Sequence, residues 1–214
     1  MNLVPKRHQI VPMGTNNIFL YIAYQQVICS YKYRLNSQTR LRKVYLQDRT
    51  SFQEIARAAY YQNYFDHWNT KAGVDQYIEE QFGTARLKME LLDTMIEYNF
   101  IEYKGEVVGF TKLNFNPKDI DLSAGLCELE KIYLLPKFIG KGIAKQALSS
   151  VLHHAKEKGK KSVYLYVIDT NTNAIAFYRS FGFEIESKTQ FNAPDFKEEL
   201  RGLFKMRLAL ENDI

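Results

Sequence analysis

Apolar and charged residues alternate from Thr39 to Val44, the pattern of a half-buried strand. Gln47 to Ser51 then offer helix-capping side chains, and Phe52, Ile55, Ala56, Ala59 and Tyr60 follow at helical spacing. A second helix is expected around Val74 to Gln81, stopped at Gly83, and a third from Thr84 to about Asp93. Two alternating runs, Asn99 to Tyr103 and Val107 to Leu113, flank Lys104-Gly105-Glu106 and predict a β-hairpin. Asn114 to Gly125 reads as a polar loop. Cys127 to Leu134 reads as a buried strand that leads through a glycine-bearing turn into a helix from about Gly142 to Lys158, ended by Gly159. Ser162 to Val167 is a compact strand, Asn173 to Phe181 a helix ended by Gly182, and Phe183 to Glu186 the start of another strand. Phe204 to Leu210 alternates as the last one.

This order predicts an α/β (α+β) domain with a mixed, mostly antiparallel sheet flanked by helices. The hairpins supply antiparallel pairs, and the strand–helix–strand unit from Cys127 to Val167 supplies one parallel pair with a right-handed crossover. Residues 39–214 form that domain. Residues 1–38 are expected to be an N-terminal extension, either an accessory element or a poorly ordered leader.

Composition narrows the class. Hydrophobic residues make up 46% of 214 and aromatic ones 14%, which fits a folded globular chain. The net charge of +5 invites a nucleic-acid reading, but its distribution argues against one. Of 29 Lys and Arg and 24 Asp and Glu, residues 1–38 hold four basic residues (Lys6, Arg7, Lys32, Arg34) and no acid, so the rest is nearly balanced. Cys29 and Cys127 show no framework or zinc spacing, and no metal site is expected. No apolar run reaches the ~20 residues of a membrane span. Gln25 and Gln26 interrupt the one run that looks like a signal peptide. A cytoplasmic protein without membrane or nucleic-acid partners is expected.

The chemistry is concentrated in Ile139-Gly140-Lys141-Gly142-Ile143-Ala144. A glycine turn opening a helix leaves backbone N–H groups unpaired, with the positive end of the helix dipole behind them, and the missing Cβ lets an anion approach. A phosphorylated cofactor is the expected occupant; a purely structural turn is the alternative.

The run from Phe100 onward resembles the GNAT superfamily of acetyl-CoA-dependent N-acyltransferases. Its pyrophosphate motif, Arg/Gln-x-x-Gly-x-Gly/Ala, falls on Ile139 to Ala144, with Ile139 where the family has Arg or Gln. Asn171-Thr172-Asn173-Ala174 through Tyr178 to Gly182-Phe183 is similar to the family's Asn-x-x-Ala-x-x-x-Tyr-x-x-x-Gly-Phe signature. The resemblance implies that the parallel strands splay apart and that the pantetheine arm of acetyl-CoA lies between them on the backbone of Ile132, Tyr133 and Leu134. It implies that Ile139 to Ala144 bind the diphosphate through backbone N–H groups, that Asn171 bonds the pantetheine while Asn173 caps the helix, and that Tyr178 is the acid for the departing thiolate. It also implies an oxyanion donor on the backbone near Tyr133 or Leu134, and two helices in the region up to about Asp93 that roof the acceptor site, with Tyr60, Tyr61, Tyr64, Phe65 and Trp68 at its heart; core packing is the alternative for these aromatics.

An amine must lose a proton to attack a thioester, so a carboxylate base is needed. Glu128 and Glu130, two apart on one strand, share a sheet face. Matching to the family puts Glu128 at the position of the base, with Glu130 one pleat nearer the cofactor; pairing with lysines is the alternative for both. A carboxyl among apolar neighbours has its pKa raised, which suits a base working near neutrality. Lys156, Lys158, Lys160 and Lys161 could meet the nucleotide's ribose phosphate or form a solvated helix end. The expected activity is acetyl transfer to a primary amine of a small molecule. A loose similarity to the polyamine-acetylating branch favours spermidine-like acceptors, with Asp75, Glu79, Glu80 and Glu90 as attracting acids. Protein N-terminal or lysine acetylation and a non-catalytic acyl-CoA-binding module are the alternatives. Members of the family often form dimers, so a homodimer is a further expectation.

Overall fold

The computed structural model describes residues 38–117 and 125–210. Residues 1–37, nearly all of the expected N-terminal extension, and most of the polar loop before Gly125 thus lie outside the described residues. No helix among the described residues is long and apolar enough to cross a membrane.

Among the described residues, seven strands form one sheet: β1 (Thr39–Lys43), β2 (Ile96–Tyr103), β3 (Glu106–Asn114), β4 (Leu126–Leu134), β5 (Ser162–Ile168), β6 (Glu184–Gln190) and β7 (Gly202–Ala209). Their spatial order is β1-β2-β3-β4-β5-β7-β6. Only β4 and β5 run parallel. Three helices, α1 (Arg49–Tyr64), α2 (Lys71–Phe82) and α3 (Thr84–Leu92), lie between β1 and β2; α4 (Ile143–Glu157) links β4 to β5, and α5 (Thr172–Arg179) precedes β6.

The apolar stripe of α1 sets the first layer. Phe52, Ala56, Ala59 and Tyr60 are buried at helical spacing and pack with Val74, Ile78, Phe82 and Leu87 against Tyr98, Phe100 and Phe110 of β2 and β3. Phe52 meets the Tyr98 and Phe110 rings edge-on at 4.9 and 5.1 Å. The opposite face is covered by α4 and α5, through Leu148, Val151, Ala155 and Ile175 on Leu113, Cys127, Leu129, Val163 and Leu165. Thr70 starts α2: its hydroxyl accepts from the Gly73 N–H at 3.0 Å and donates to Asp195 at 2.6 Å, tying the helix to the loop between β6 and β7.

Two irregularities in β4 create the site. The β4–β5 ladder has only three pairs, Leu126↔Ser162, Cys127↔Val163 and Glu128↔Tyr164. β4 nevertheless runs on to Leu134, and β5 continues against β7 as far as Ile168↔Leu203. The parallel strands therefore part beyond Glu128, leaving one edge of β4 facing a gap. The second irregularity is a bulge: Lys112 pairs with Lys131, but Leu113 pairs with Leu129, so Glu130 is the extra residue. The bulge turns Glu130 and Lys131 to one face. Glu130 contacts Lys112 and Asn114 there, and Lys131 reaches Gln81 of α2.

Candidate active site

A cavity of about 180 Å³ sits where β4 and β5 diverge. Its walls come from five regions: Tyr60 and Tyr64 of α1, Tyr77 of α2, Leu129 to Tyr133 of β4, Tyr166 to Ile168 of β5, and Ala174 and Tyr178 of α5. Phe191 and Phe196, from the β6–β7 connection, Asn171, and Leu203 of β7 complete it. The aromatic walls hold one another. Tyr60 stacks on Tyr64 at 5.1 Å and tilts onto Tyr77 at 4.9 Å, and Tyr64 lies 5.4 Å from the Tyr133 ring. Buried Trp68 donates its indole N–H to the Tyr60 hydroxyl at 3.3 Å. Tyr61 and Phe65 instead stack on each other at 5.1 Å and take no part in the wall.

Tyr178 is seated by its ring, which packs against Phe177 and Phe183 at 5.2 and 5.7 Å. Burial raises its phenol above the ordinary tyrosine value, with neighbouring Tyr64 adding to the effect, so it stays protonated near neutrality. Asn171 also lines the cavity, but its side-chain oxygen accepts from the Ala174 N–H at 3.1 Å and caps α5. Asn173, the residue expected to cap, lies inside the helix and is exposed. Two asparagines two residues apart fit a cap equally well by sequence; the non-helical backbone at Asn171 (φ −81°, ψ 73°) decides between them.

Glu130 lines the cavity, with Oε2 2.6 Å from the Lys112 ammonium and Oε1 accepting from Asn114 Nδ2 at 3.0 Å. Glu128 lies one pleat deeper, where the Tyr164 hydroxyl donates to it at 3.0 Å. Burial pushes the Glu128 carboxyl above the ordinary glutamate value, and the charge of Glu130 pushes it further. Behind both runs a buried ionic network, in which Glu130 makes the lysine pairing named as the alternative for it. Lys112, 2% exposed, also bridges Glu90 of α3 at 2.9 Å. Burial of Glu90 raises its pKa, but the Tyr98 hydroxyl and the Lys112 ammonium outweigh that and hold it below the usual value.

The turn before α4 presents a different chemistry. Gly140 (φ 80°) and Gly142 (φ 76°) occupy left-handed backbone, and a Cβ on either would meet nothing within 4 Å. The Ile139 N–H donates to the Pro136 carbonyl at 3.1 Å, so that position does not offer the free donor expected of it. Among the described residues, the N–H groups of Gly140, Lys141, Gly142, Ile143 and Ala144 have no acceptor. Exposed Lys141 and Lys145 flank them. Nearby Ile132, Tyr133 and Leu134 keep one edge to the gap; the Leu134 carbonyl accepts from Asn63 Nδ2 at 2.9 Å. Lys156, Lys158, Lys160 and Lys161 lie at the other end of α4, some 20 Å away at ~1.5 Å per residue. Lys158 pairs there with Glu97 at 3.3 Å, and Lys160 donates to the Phe115 carbonyl at 2.8 Å, so this run is a helix end and not part of the loop site.

The sequence model of the Acetyltransferase (GNAT) family matches residues 49–183. The chain belongs to the GNAT acetyltransferase family. A spermine/spermidine N(1)-acetyltransferase of Bacillus subtilis is 33% identical over 92 residues, 42% of this chain and 60% of that protein. A spermidine N(1)-acetyltransferase of Thermoplasma acidophilum is 25% identical over 146 residues, 68% of this chain and 88% of that protein. The chain thus spans only about 60% of the length of the first of these GNAT relatives. Among solved structures, the PaiA N-acetyltransferase from Thermoplasma acidophilum in complex with coenzyme A superposes with a TM-score of 0.64 at 23% identity, covering 80% of this chain and 98% of that one. A spermidine N-acetyltransferase SpeG chimera from Vibrio cholerae and hSSAT gives 0.62 at 18% identity, covering 81% and 96%. At these identities the likeness is one of fold, and it carries the splayed mixed sheet of the GNAT domain.

None of the acids considered for attracting an acceptor, Asp75, Glu79, Glu80 and Glu90, lines the cavity; the acid that does is Glu130. Asp75 is paired with Lys71 and with Arg57 at 3.7 Å, Glu80 accepts from Gln76 at 2.8 Å, and Glu90 is committed to the buried network.

Proposed function

We propose that this GNAT protein transfers acetyl from acetyl-CoA to a primary amine of a small molecule, by direct attack within a ternary complex. The observation that carries the reading is the set of five acceptorless N–H groups, Gly140 to Ala144, at the head of α4, on the same strand–turn–helix unit whose strand edge opens onto Tyr178. Those donors and the helix dipole suit the diphosphate, and the open space over both glycines leaves room for it. Lys141 and Lys145 add positive charge beside the nucleotide. The unpaired edge of β4 suits the amides of the pantetheine arm.

When bound, acetyl-CoA supplies the acetyl thioester; the chain supplies positioning and proton traffic. Glu130 faces the incoming ammonium across the cavity. Glu128, raised by burial, is the carboxyl best matched to accept the proton the amine loses. Tyr178, half-buried and protonated, is the donor for the departing thiolate. We keep a cytoplasmic setting as part of this reading, supported by the free, buried Cys127 thiol.

The printed activities of the relatives make spermidine and spermine the first acceptors to test. Thiol release and product mass are followed with wild type and Tyr178→Phe over a panel of amines. The reading expects N-acetylated product with at least one amine, and a loss of about 100-fold or more in kcat for Tyr178→Phe with coenzyme binding retained. Acetyl-CoA binding without turnover on any amine would favour a binding module; equal rates for the two proteins would remove Tyr178 as the acid.

A further inference from the structure

Lys131 is the least expected group in the cavity. Its side chain is 8% exposed, yet it lines the space beside Glu130. The bulge in β4 is the reason: it turns two consecutive residues, one acidic and one basic, to the same face. A buried ammonium requires a counter-charge and hydrogen-bond acceptors. Lys131 has neither in full. Its Nζ donates to the Gln81 side-chain oxygen at a long 3.3 Å and rests 5.8 Å from the Phe82 ring. Its one ion pair among the described residues, at 4.0 Å, is to Glu130 Oε2, the oxygen that Lys112 already holds at 2.6 Å. Lys112 takes Glu90 as well, at 2.9 Å. Glu128, the remaining carboxyl on this face, accepts from the Tyr164 hydroxyl at 3.0 Å and makes no ion pair with Lys131 among the described residues.

One cation in the cavity is therefore undercompensated. Burial lowers the Lys131 pKa to about 8; Glu130 and, more weakly, Glu90 oppose that shift, while Lys112 and Arg86 add to it. At neutral pH the group still carries most of its charge.

We propose that Lys131 is the seat for a carboxylate on the acceptor, so that the preferred acceptor is an amino-acid-like amine rather than a simple polycation. This inference rests on the acetyl-transfer reading and refines its substrate class. Adjacent Glu130 and Lys131 present an anion and a cation side by side, the complement of a group bearing both an ammonium and a carboxylate. The tyrosine and phenylalanine walls above them suit an apolar or aromatic remainder. A second ammonium, as in a diamine, would instead meet the Lys131 charge.

Matched pairs that differ only by the carboxylate test this directly: phenylalanine against phenethylamine, ornithine against putrescine, lysine against cadaverine. Each is assayed with wild type, Lys131→Met and Lys131→Arg, all checked for folding and coenzyme binding. The ratio of kcat/KM between partners is compared across enzymes, so intrinsic differences in amine basicity cancel. We expect Lys131→Met to lower the amino-acid-to-amine ratio at least tenfold, mainly through KM, and Lys131→Arg to retain most of it. A ratio within twofold of wild type in Lys131→Met overturns the proposal, as does a wild-type enzyme that acetylates only the decarboxylated partners. A measurement on wild type alone covers a variant that fails to fold. 3-Phenylpropionate should compete with the acceptor and 3-phenylpropanamide should not; equal inhibition by both overturns the proposal. Turnover without carboxylate preference defeats this inference alone, whereas no turnover with any amine defeats the acetyl-transfer reading and this inference with it.

Discussion

Replacing Lys112 with methionine tests the network beneath the cavity floor. The lysine is 2% exposed and joins two carboxylates of different elements, Glu90 of α3 at 2.9 Å and Glu130 of β4 at 2.6 Å. Methionine keeps much of the stem's volume and packing on the Tyr98 ring, which isolates the loss of charge. Breaking a buried pair by removing one partner costs about 3–5 kcal/mol, because it leaves an uncompensated charge behind. Here neither carboxylate is stranded entirely: Glu130 keeps Asn114, and Glu90 keeps Tyr98 and, at 3.0 Å, Arg86. The lower end, about 3 kcal/mol, is therefore expected, a large part of the ~5–15 kcal/mol that holds a domain together. Urea unfolding should show the midpoint falling with an unchanged slope. In a double-mutant cycle with Glu130→Gln, the second change should recover part of the loss. A cost below about 1 kcal/mol, the range of exposed pairs, would refute the claim that this network is buried and structural.

Two further outcomes follow from the same strands. A Cβ on Gly109 would lie 2.1 Å from the Tyr133 carbonyl oxygen and 2.8 Å from Leu134 Cδ2. Gly109→Ala must therefore push β3 off β4 and should cost at least the ~1–3 kcal/mol of an overpacked core; an unchanged urea midpoint would contradict it. For pH dependence, burial first and the charge of Glu130 second raise the Glu128 pKa, and a base works only once deprotonated. Glu130→Gln removes the second contribution, so the acidic limb of kcat/KM should move to lower pH; a limb that stays or moves to higher pH would exclude this coupling.

Periodicity carried the architecture well because each element has a one-sided burial pattern. Phe52, Ala56, Ala59 and Tyr60 marked a helix, and the two runs around Lys104-Gly105-Glu106 marked a hairpin whose strands extend only a few residues beyond the expected bounds. The loop before α4 was legible because glycines in left-handed backbone leave a signature in the sequence itself. The floor of the site was not. A bulge is a property of register between strands, so nothing in Glu130-Lys131 alone says that both face the cavity. Lys112 looked like an ordinary polar position in an alternating strand, and only its carboxylate partners, remote in sequence, explain its burial. Likewise the tyrosine walls assemble from α1, α2, β4, β5 and α5, and no local pattern distinguishes Tyr60 and Tyr64, which face the cavity, from Tyr61, which does not.

The central claim, that the backbone at the head of α4 holds the diphosphate, is tested most directly by amide chemical shifts during a coenzyme A titration. The N–H resonances of Gly140, Lys141, Gly142, Ile143 and Ala144 should move the most and saturate together, downfield as each gains an anionic acceptor. Ile139, already bonded to Pro136, should move less. Saturable binding that shifts resonances elsewhere and leaves those five in place would contradict the account.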